Sequence, residues 1–548
     1  MTNQVKLTID GMHCDHCEIT VGAALERAGL GEVTVDWRRG EATGTPAASF
    51  SEKRAGDEVA EIGYTLTSSE TPEETAAPND DAPAEDYDLL ILGSGSAAFG
   101  AAIKARDLGA RVAMIERDVI GGTCVNIGCV PSKALLRAAE AYWQAGHSPF
   151  AGVSTFAGDV DLPALVEQKR GLVDQLRQEK YADLVDFYGI DYIRGDARFV
   201  DAETVQVGDR RLRAFRFLIA TGADTWVPPI NGLDDVDYLT STTALELLSV
   251  PDKLIVVGAN AIGLELGQLF THLGSRVTFV EALDRIAPFE EPEISASLHE
   301  HLVSQGATIH AATTATGAGH SGDRYWLDIE LDGTTTRLEG NHLLMATGRR
   351  ARTAGLGLDA AGVVVDQRGH VIVDDTLETS NPAVFAAGDV TAHPQFVYVA
   401  ALGGNLAAEN ALRGTTRRIE FRTMPRVTFT TPAIASVGMT ESEARDAGHP
   451  VITSLLPLDI VPRALVDHST EGLVKLVADD STGHLLGTHI LAEGAGDVIQ
   501  AAVMAIKYRA TIDEIAETYH PYLTMAEALK LAAQGFGKDV KTLSCCAA

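Results

Sequence analysis

At 548 residues the chain is too long for one hydrophobic core, so three or four domains are expected. Hydrophobic residues at 45% and charged residues at 22% are ordinary for a globular protein, whereas 76 acidic against 44 basic residues leave a formal net charge of -32. That balance excludes nucleic acid and a stable anionic-membrane attachment as expected partners and reads as a heavily solvated surface, one suited to high salt being one version of it.

No stretch reaches the ~18 uncharged apolar residues of a spanning helix. The opening Met1-Thr2-Asn3-Gln4-Val5-Lys6 lacks the apolar core of a signal peptide, which points to the cytoplasm. Thiols there are normally reduced, so the six cysteines are expected to bind metal or do chemistry. They fall into three pairs: Cys14 and Cys17, Cys124 and Cys129, Cys545 and Cys546.

Residues 1–70 alternate short strands and helices: a strand at 5–9, a helix at 18–28, a hairpin over 33–35 and 41–43, a helix at 51–62 and a strand at 64–66. This is the ferredoxin-like βαββαβ order. Between the first strand and helix lies Gly11-Met12-His13-Cys14-Asp15-His16-Cys17, whose two thiolates are spaced to reach one soft ion at a helix N-terminus. A redox role for the Cys-x-x-Cys pair is the competing reading, and His13 and His16 read as bystanders. The run resembles the metal site of heavy-metal-associated domains. Residues 71–85, rich in Pro, Ala and acid, follow as a tether with almost nothing to bury.

Buried strands, Gly turns and helices then begin. Asp88-Leu89-Leu90-Ile91-Leu92 runs into Gly93-Ser94-Gly95-Ser96-Ala97-Ala98, and a second strand ends at Glu116. Gly93, Gly95 and Ala98 let the backbone approach a pyrophosphate on the helix N-terminus, and Glu116 is placed for ribose hydroxyls. Next comes Gly121-Gly122-Thr123-Cys124-Val125-Asn126-Ile127-Gly128-Cys129-Val130-Pro131-Ser132-Lys133, two cysteines expected at the start of one helix, where its dipole favours thiolate. A second nucleotide unit spans 253–282. Gly258 and Gly263 form its turn, Asn260 replaces the middle glycine, and Glu281 ends its second strand. An acid there holds the ribose diol of NADH and repels a 2′-phosphate, unless Arg285, Arg349 or Arg350 offsets it. Residues 426–544 change again, to antiparallel strands at 426–430 and 473–477 with helices near 495–509 and 525–534.

The Cys124–Lys133 string resembles the redox disulfide of the flavoprotein pyridine nucleotide-disulfide oxidoreductases, and the likeness extends over roughly 86–544. It implies FAD against Gly122, Thr123, Ala197, Gly222, Asp389 and Val397. It implies Lys133 paired with Glu265 beside the flavin, Gly348 and Arg349 at a domain crossing, and Cys129 as the flavin-contacting thiol. Disulfide reductases of this family carry a His-Pro-Thr-x-x-Glu run whose His is a general acid. Here Tyr522 stands in place of that His, while Thr524 and Glu527 remain; His520-Pro521 is two residues out of register. With the vicinal Cys545 and Cys546, a two-thiol arm suited to ligand exchange, the whole chain resembles the mercuric reductases.

The resemblance implies a homodimer that reduces Hg(II), delivered as thiol complexes, with NADPH through FAD; NADH stays possible because of Glu281. It places Tyr181 and Tyr522 next to the metal, with Tyr188 the rival of Tyr181. Cys14 and Cys17 would collect the ion, Cys545 and Cys546 would pass it on, and Cys124 and Cys129 of the partner subunit would hold it for reduction. The expected architecture is α/β: a metal-binding domain at 1–70, two Rossmann-like units (FAD at 86–230 and 355–425, NAD(P) at 231–354), an α+β dimerisation domain at 426–541 and a relay tail at 542–548. The competing activities are a dihydrolipoyl dehydrogenase-like reductase fused to a metal-binding domain, and a metal-trafficking protein.

Overall fold

The computed structural model describes residues 5–12, 15–37, 39–47, 50–62, 64–70, 85–331 and 333–542. Cys14, Cys545, Cys546 and the expected tether up to residue 84 lie outside the described residues, as does the side chain of Cys17. The chain divides into two units, 1–83 and 84–548.

In the first unit, β1 (Val5–Asp10), α1 (Asp15–Arg27), β2 (Leu30–Asp36), β3 (Glu41–Pro46), α2 (Glu52–Glu61) and β4 (Thr65–Glu70) follow one another. The sheet order is β2-β3-β1-β4, all antiparallel. Val5, Leu7 and Ile9 alternate onto the helix side and are fully buried with Val21, Leu25 and Val59. One face is therefore the whole core, as period-two alternation requires. The βαββαβ order is the expected one.

The second unit opens with β5 (Glu85–Leu92), α3 (Ser96–Asp107) and β6 (Val112–Glu116). After them come α4 (Gly122–Asn126), α5 (Cys129–Gly146), α6 (Leu162–Arg177), a π-turn at Gln178–Ala182 and α7 (Asp183–Tyr188). Strands β7 (Asp191–Arg194), β8 (Ala197–Phe199), β9 (Thr204–Val207) and β10 (Arg210–Ile219) complete a sheet ordered β7-β6-β5-β10-β9-β8. Leu89 to Leu92 are all wholly buried because Leu89 and Ile91 pack under α3 and the later helix Val397–Arg413, while Leu90 and Leu92 meet β8, β9 and the loop around 358–371 on the other face, each such side chain contributing on the order of 2 kcal/mol.

The strand β11 (Ala223–Thr225) and helix α8 (Ser241–Ala244) lead to β12 (Lys253–Val257), α9 (Ala261–His272), β13 (Arg276–Val280), α10 (Pro292–Ser304) and β14 (Thr308–His310). A meander of β15 (Thr314–Ser321), β16 (Arg324–Leu331) and β17 (Thr334–Gly340) precedes β18 (His342–Met345), giving a second parallel sheet ordered β14-β13-β12-β18. The chain then returns. β19 (Arg349–Ala351) pairs with β11, β20 (Val384–Ala386) joins β10, and α11 (Val397–Arg413) packs along α3.

The last part contains β21 (Pro425–Thr428), β22 (Ala433–Gly438), β23 (Val451–Pro457), β24 (Leu473–Asp479) and β25 (Leu485–Ala492) in the antiparallel order β21-β22-β25-β24-β23. Helices at Ala495–Lys507 and Glu527–Gln534 pack on it. Every residue of β24 is buried, because Leu473 and Leu491 join the core around α9 while the opposite face meets those helices. Among the described residues no helix is long and apolar enough to cross a membrane.

Candidate active site

The two cysteines do not share one helix. Cys124 lies in the one-turn α4 and Cys129 is the first residue of α5. Gly128 separates them with φ -121° and ψ -107°, outside helical values, and its Cα side faces the Thr123 carbonyl too closely to hold a side chain freely (3.0 Å from a Cβ position). The expected deeper position of Cys129 is thus replaced by a stronger one: the open N-terminus of an 18-residue helix, where unpaired N–H groups favour an anion.

Both thiols are free, with Cys124 half-buried and Cys129 exposed. The Cys124 S–H donates to the Cys129 sulfur, and with Lys133 nearby this lowers the Cys129 pKa to about 7 against burial, which works the other way. The same bond, reinforced by burial, holds the Cys124 proton in place and raises its pKa far above the ordinary thiol value. A pair with one thiolate and one thiol is the arrangement a nucleophile or soft-metal ligand needs near neutral pH.

Lys133, one turn along α5, places its Nζ 2.7 Å from Glu265 Oε2 on α9. Glu265 is only 6% exposed, and its other oxygen accepts the backbone N–H of Phe429 at 2.9 Å. The Phe429 ring lies 4.7 Å from Lys133 Nζ, so a residue just past β21 closes the third side of the ion pair. Gln268, one turn further along α9, exchanges hydrogen bonds with both backbone groups of Thr431 (2.7 Å each). Phe429 was legible only as a member of the expected 426–430 strand; the strand ends at Thr428, and Phe429, about half exposed, leaves it to meet Lys133 and Glu265.

Tyr181 sits on the π-turn that interrupts the helix after α6. Its ring packs edge-on to Phe99 (4.9 Å) and over the Gly121 backbone, and it shares a hydrogen bond with Ser96. Burial, then the charge of the Cys124–Cys129 pair, raises its phenol pKa. Tyr188 is elsewhere: its carbonyl accepts Arg106 and its ring pairs with Phe187. The π-turn holds Tyr181 against the cysteine loop at Gly121, whereas Tyr188, at the end of α7, packs with Phe187. Tyr522 is 52% exposed on the loop before the final long helix, while Glu527 is buried at that helix's first turn.

The first Gly turn has the shape of a dinucleotide cradle. A Cβ on Gly93 (φ +109°) would lie 2.4 Å from the Ala220 carbonyl. Gly95 caps α3 without a side-chain hydrogen bond, leaving that helix's first N–H groups for a phosphate. Gly122 approaches Gly95 closely, and Ala98 is wholly buried, so its part is helix packing. Ser94 Oγ donates to Glu116 Oε2 at 2.6 Å and accepts the Gly121 N–H, tying the turn to the cysteine loop. Thr123 and Ala197 are half-buried, Val397 is the partly exposed first residue of α11, and the space beside Gly222 is open. Asp389 is largely enclosed. Burial pushes its carboxyl pKa up, and Arg349, 3.7 Å away, pulls it back. These residues fit FAD.

The second turn has the same form. Gly258 (φ +96°) faces the Ala346 carbonyl at 2.4 Å, Gly263 has no room for a side chain, and Asn260 caps α9 without a side-chain bond. Both oxygens of Glu281 accept backbone N–H groups, from Ala259 and Leu283. The arginines expected to offset Glu281 are committed elsewhere. Arg285 bonds Asp284 and the carbonyls of Pro288 and Glu290. Arg349 bonds the Ala223 carbonyl beside Asp389, and Arg350 bonds the Arg368 carbonyl. Both lie at the β11–β19 crossing, next to Gly348.

Residues 87–404 match the pyridine nucleotide-disulphide oxidoreductase family, and 424–533 match its dimerisation domain. Mercuric reductase of Staphylococcus aureus is 49% identical over 547 residues, covering 100% of this chain and 99% of its own. That of Streptomyces lividans is 51% identical over 467 residues, 84% of this chain and 98% of its own. The HOCl-induced flavoprotein disulfide reductase RclA of Escherichia coli superposes with TM-score 0.74 at 30% identity, over 82% of this chain and 99% of its own. LpdA of Mycobacterium tuberculosis gives 0.74 at 28%, over 83% and 100%. The chain belongs to the pyridine nucleotide-disulphide oxidoreductases and, within them, to the mercuric reductases.

Proposed function

We propose that this protein reduces Hg(II) to Hg(0) with a reduced nicotinamide dinucleotide, in the net reaction NAD(P)H + Hg(II) → NAD(P)+ + H+ + Hg(0). The observation that carries it is the Cys124–Cys129 pair, a thiol beside a thiolate lowered to about 7, flanked by Tyr181 and by the Lys133–Glu265 pair. FAD, when bound between Gly93, Gly122, Glu116 and Asp389, supplies the two-electron link between nicotinamide and cysteines. The protein's own part is to present two sulfur ligands at the correct charge.

A soft cation bound by two thiolates exchanges ligands stepwise, each incoming thiolate displacing one outgoing thiolate. Cys129 makes the first attack because it is the thiolate; Cys124 follows on losing its proton, an event that metal coordination drives. Tyr181 and, from a second copy of the chain, Tyr522 stand as phenol walls of the metal site. Cys14 and Cys17 are assigned to collection and Cys545 and Cys546 to delivery between subunits of a homodimer, in the cytoplasm. Tyr522, in place of a general-acid His, disfavours disulfide substrates.

The test is anaerobic NADPH and NADH oxidation with and without Hg(II) in excess thiol, with Hg(0) vapour collected. Hg(II)-dependent oxidation that releases stoichiometric vapour is expected. Lipoamide turned over as fast as Hg(II) would instead establish the disulfide-reductase activity. Unchanged oxidation of thiol-bound Hg(II) in the Cys545→Ala, Cys546→Ala double variant would remove the delivery role.

A further inference from the structure

Glu281 directly follows β13 at the mouth of the Gly258 turn and is 7% exposed. Its Oε2 accepts the Ala259 N–H at 2.7 Å and its Oε1 the Leu283 N–H at 2.9 Å, so the carboxylate is fixed against the turn. Each oxygen keeps a lone pair for a ribose hydroxyl. The residues that follow bring no free cation. Ala282 and Leu283 are exposed and apolar, Asp284 is an exposed acid, and Phe289 is 67% exposed. Arg285 folds back onto Asp284 (3.2 Å), the Pro288 carbonyl (2.9 Å) and the Glu290 carbonyl (3.3 Å). Arg276 stands at the opposite end of β13.

We infer that the second nucleotide site selects NADH over NADPH, and that Glu281 is the residue that sets the preference. A 2′-phosphate carries close to two negative charges at neutral pH. Beside Glu281 it meets a fixed carboxylate, and the nearest arginine is paired with Asp284 and its own loop carbonyls rather than held out for the phosphate. The free 2′-hydroxyl of NADH donates to the same carboxylate. Affinity for NADPH is lost through a built-in repulsion rather than a missing contact. The inference rests on reading the Gly258 turn as the nicotinamide site.

The experiment is calorimetric titration of the full-length, FAD-loaded protein with NAD+ and with NADP+. NAD+ is expected to bind tighter by about tenfold or more at low salt, the gap shrinking toward 1 M salt as like-charge repulsion is screened. Glu281→Gln keeps an oxygen for the backbone clasp and removes the charge, so NADP+ should tighten and the gap narrow. Ala282→Arg, at an exposed position outside the clasp, should tighten NADP+ without changing the melting temperature. NADP+ binding as tightly as NAD+ to the unaltered protein overturns the inference, as does a ratio that neither variant moves. A clear NAD+ preference without Hg(II)-dependent NADH oxidation would retain the specificity assignment and remove the mercury reading.

Discussion

Tyr181 and Tyr522 were expected at the same metal, yet the fold treats them differently. Tyr181 is finished within its own chain: it sits on a π-turn, Phe99 and Gly121 pack it, Ser96 bonds it, and the charge of the Cys124–Cys129 pair reaches it. Tyr522 is half-exposed, in the part of the chain that matches a dimerisation domain. One proposed wall is thus packed within its own chain, and the other is half-exposed. Exposure of Tyr522 is compatible with its proposed service to a partner subunit, which mixed dimers test.

The sharpest break in that comparison is at the cysteines, which both walls serve. Cys129→Ser should lower Hg(II)-dependent nucleotide oxidation by about a thousandfold or more while FAD content is unchanged. Next in size are the walls themselves. Tyr181→Phe and Tyr522→Phe should each cost roughly tenfold to a hundredfold. They separate in mixed dimers: a Cys124→Ser chain paired with a Tyr522→Phe chain should keep one complete site, because each contributes what the other lacks. A mixed dimer as poor as the Tyr522→Phe parent would place Tyr522 in its own chain's site.

The pH dependence sharpens the intramolecular side. With its pKa lowered to about 7, Cys129 should be alkylated with a rate that rises through pH 7 rather than through pH 9, the ordinary thiol range. Lys133→Met removes one of the charges that favours thiolate, so the midpoint should move up by about one unit. A midpoint that stayed near 7 would mean that the Cys124 hydrogen bond alone sets it.

A packing variant tests the frame beneath both walls. In Gly404→Ala the new Cβ would lie 1.9 Å from the Ala97 carbonyl, at the contact of α11 with α3. The helices must separate, at a cost of about 2 kcal/mol read as a lower urea midpoint. The smallest effect expected is that of salt on the unaltered protein. With a net charge of -32, its urea midpoint should rise as salt screens self-repulsion. A midpoint independent of salt would remove the high-salt reading of the surface.

Much of this was legible because it depends on local chemistry. Gly93 and Gly258 must be glycine for a close approach to a neighbouring carbonyl, and the acids Glu116 and Glu281 end or directly follow strands at the predictable distance from them. Such spacing survives in one dimension. The cysteine string was equally plain, yet its placement was not: Gly128 breaks the segment, and a break in φ and ψ is not written in helical periodicity. Phe429, Gln268 and Thr431 left no usable signal, because their partners are more than 160 residues away in sequence.

By itself, then, the amino-acid sequence determined the two glycine turns, the strand-ending acids, the three cysteine pairs and the βαββαβ order of the first unit. Backbone sterics and hydrophobic alternation act over a few residues. Only the tertiary structure decided that Tyr181 rather than Tyr188 faces the cysteines. It also decided that Cys129 opens its helix as the more acidic thiol, and that Arg285 is turned away from Glu281. Those outcomes depend on which charges and hydrogen-bond partners meet in space, and packing brings them together from opposite ends of the chain.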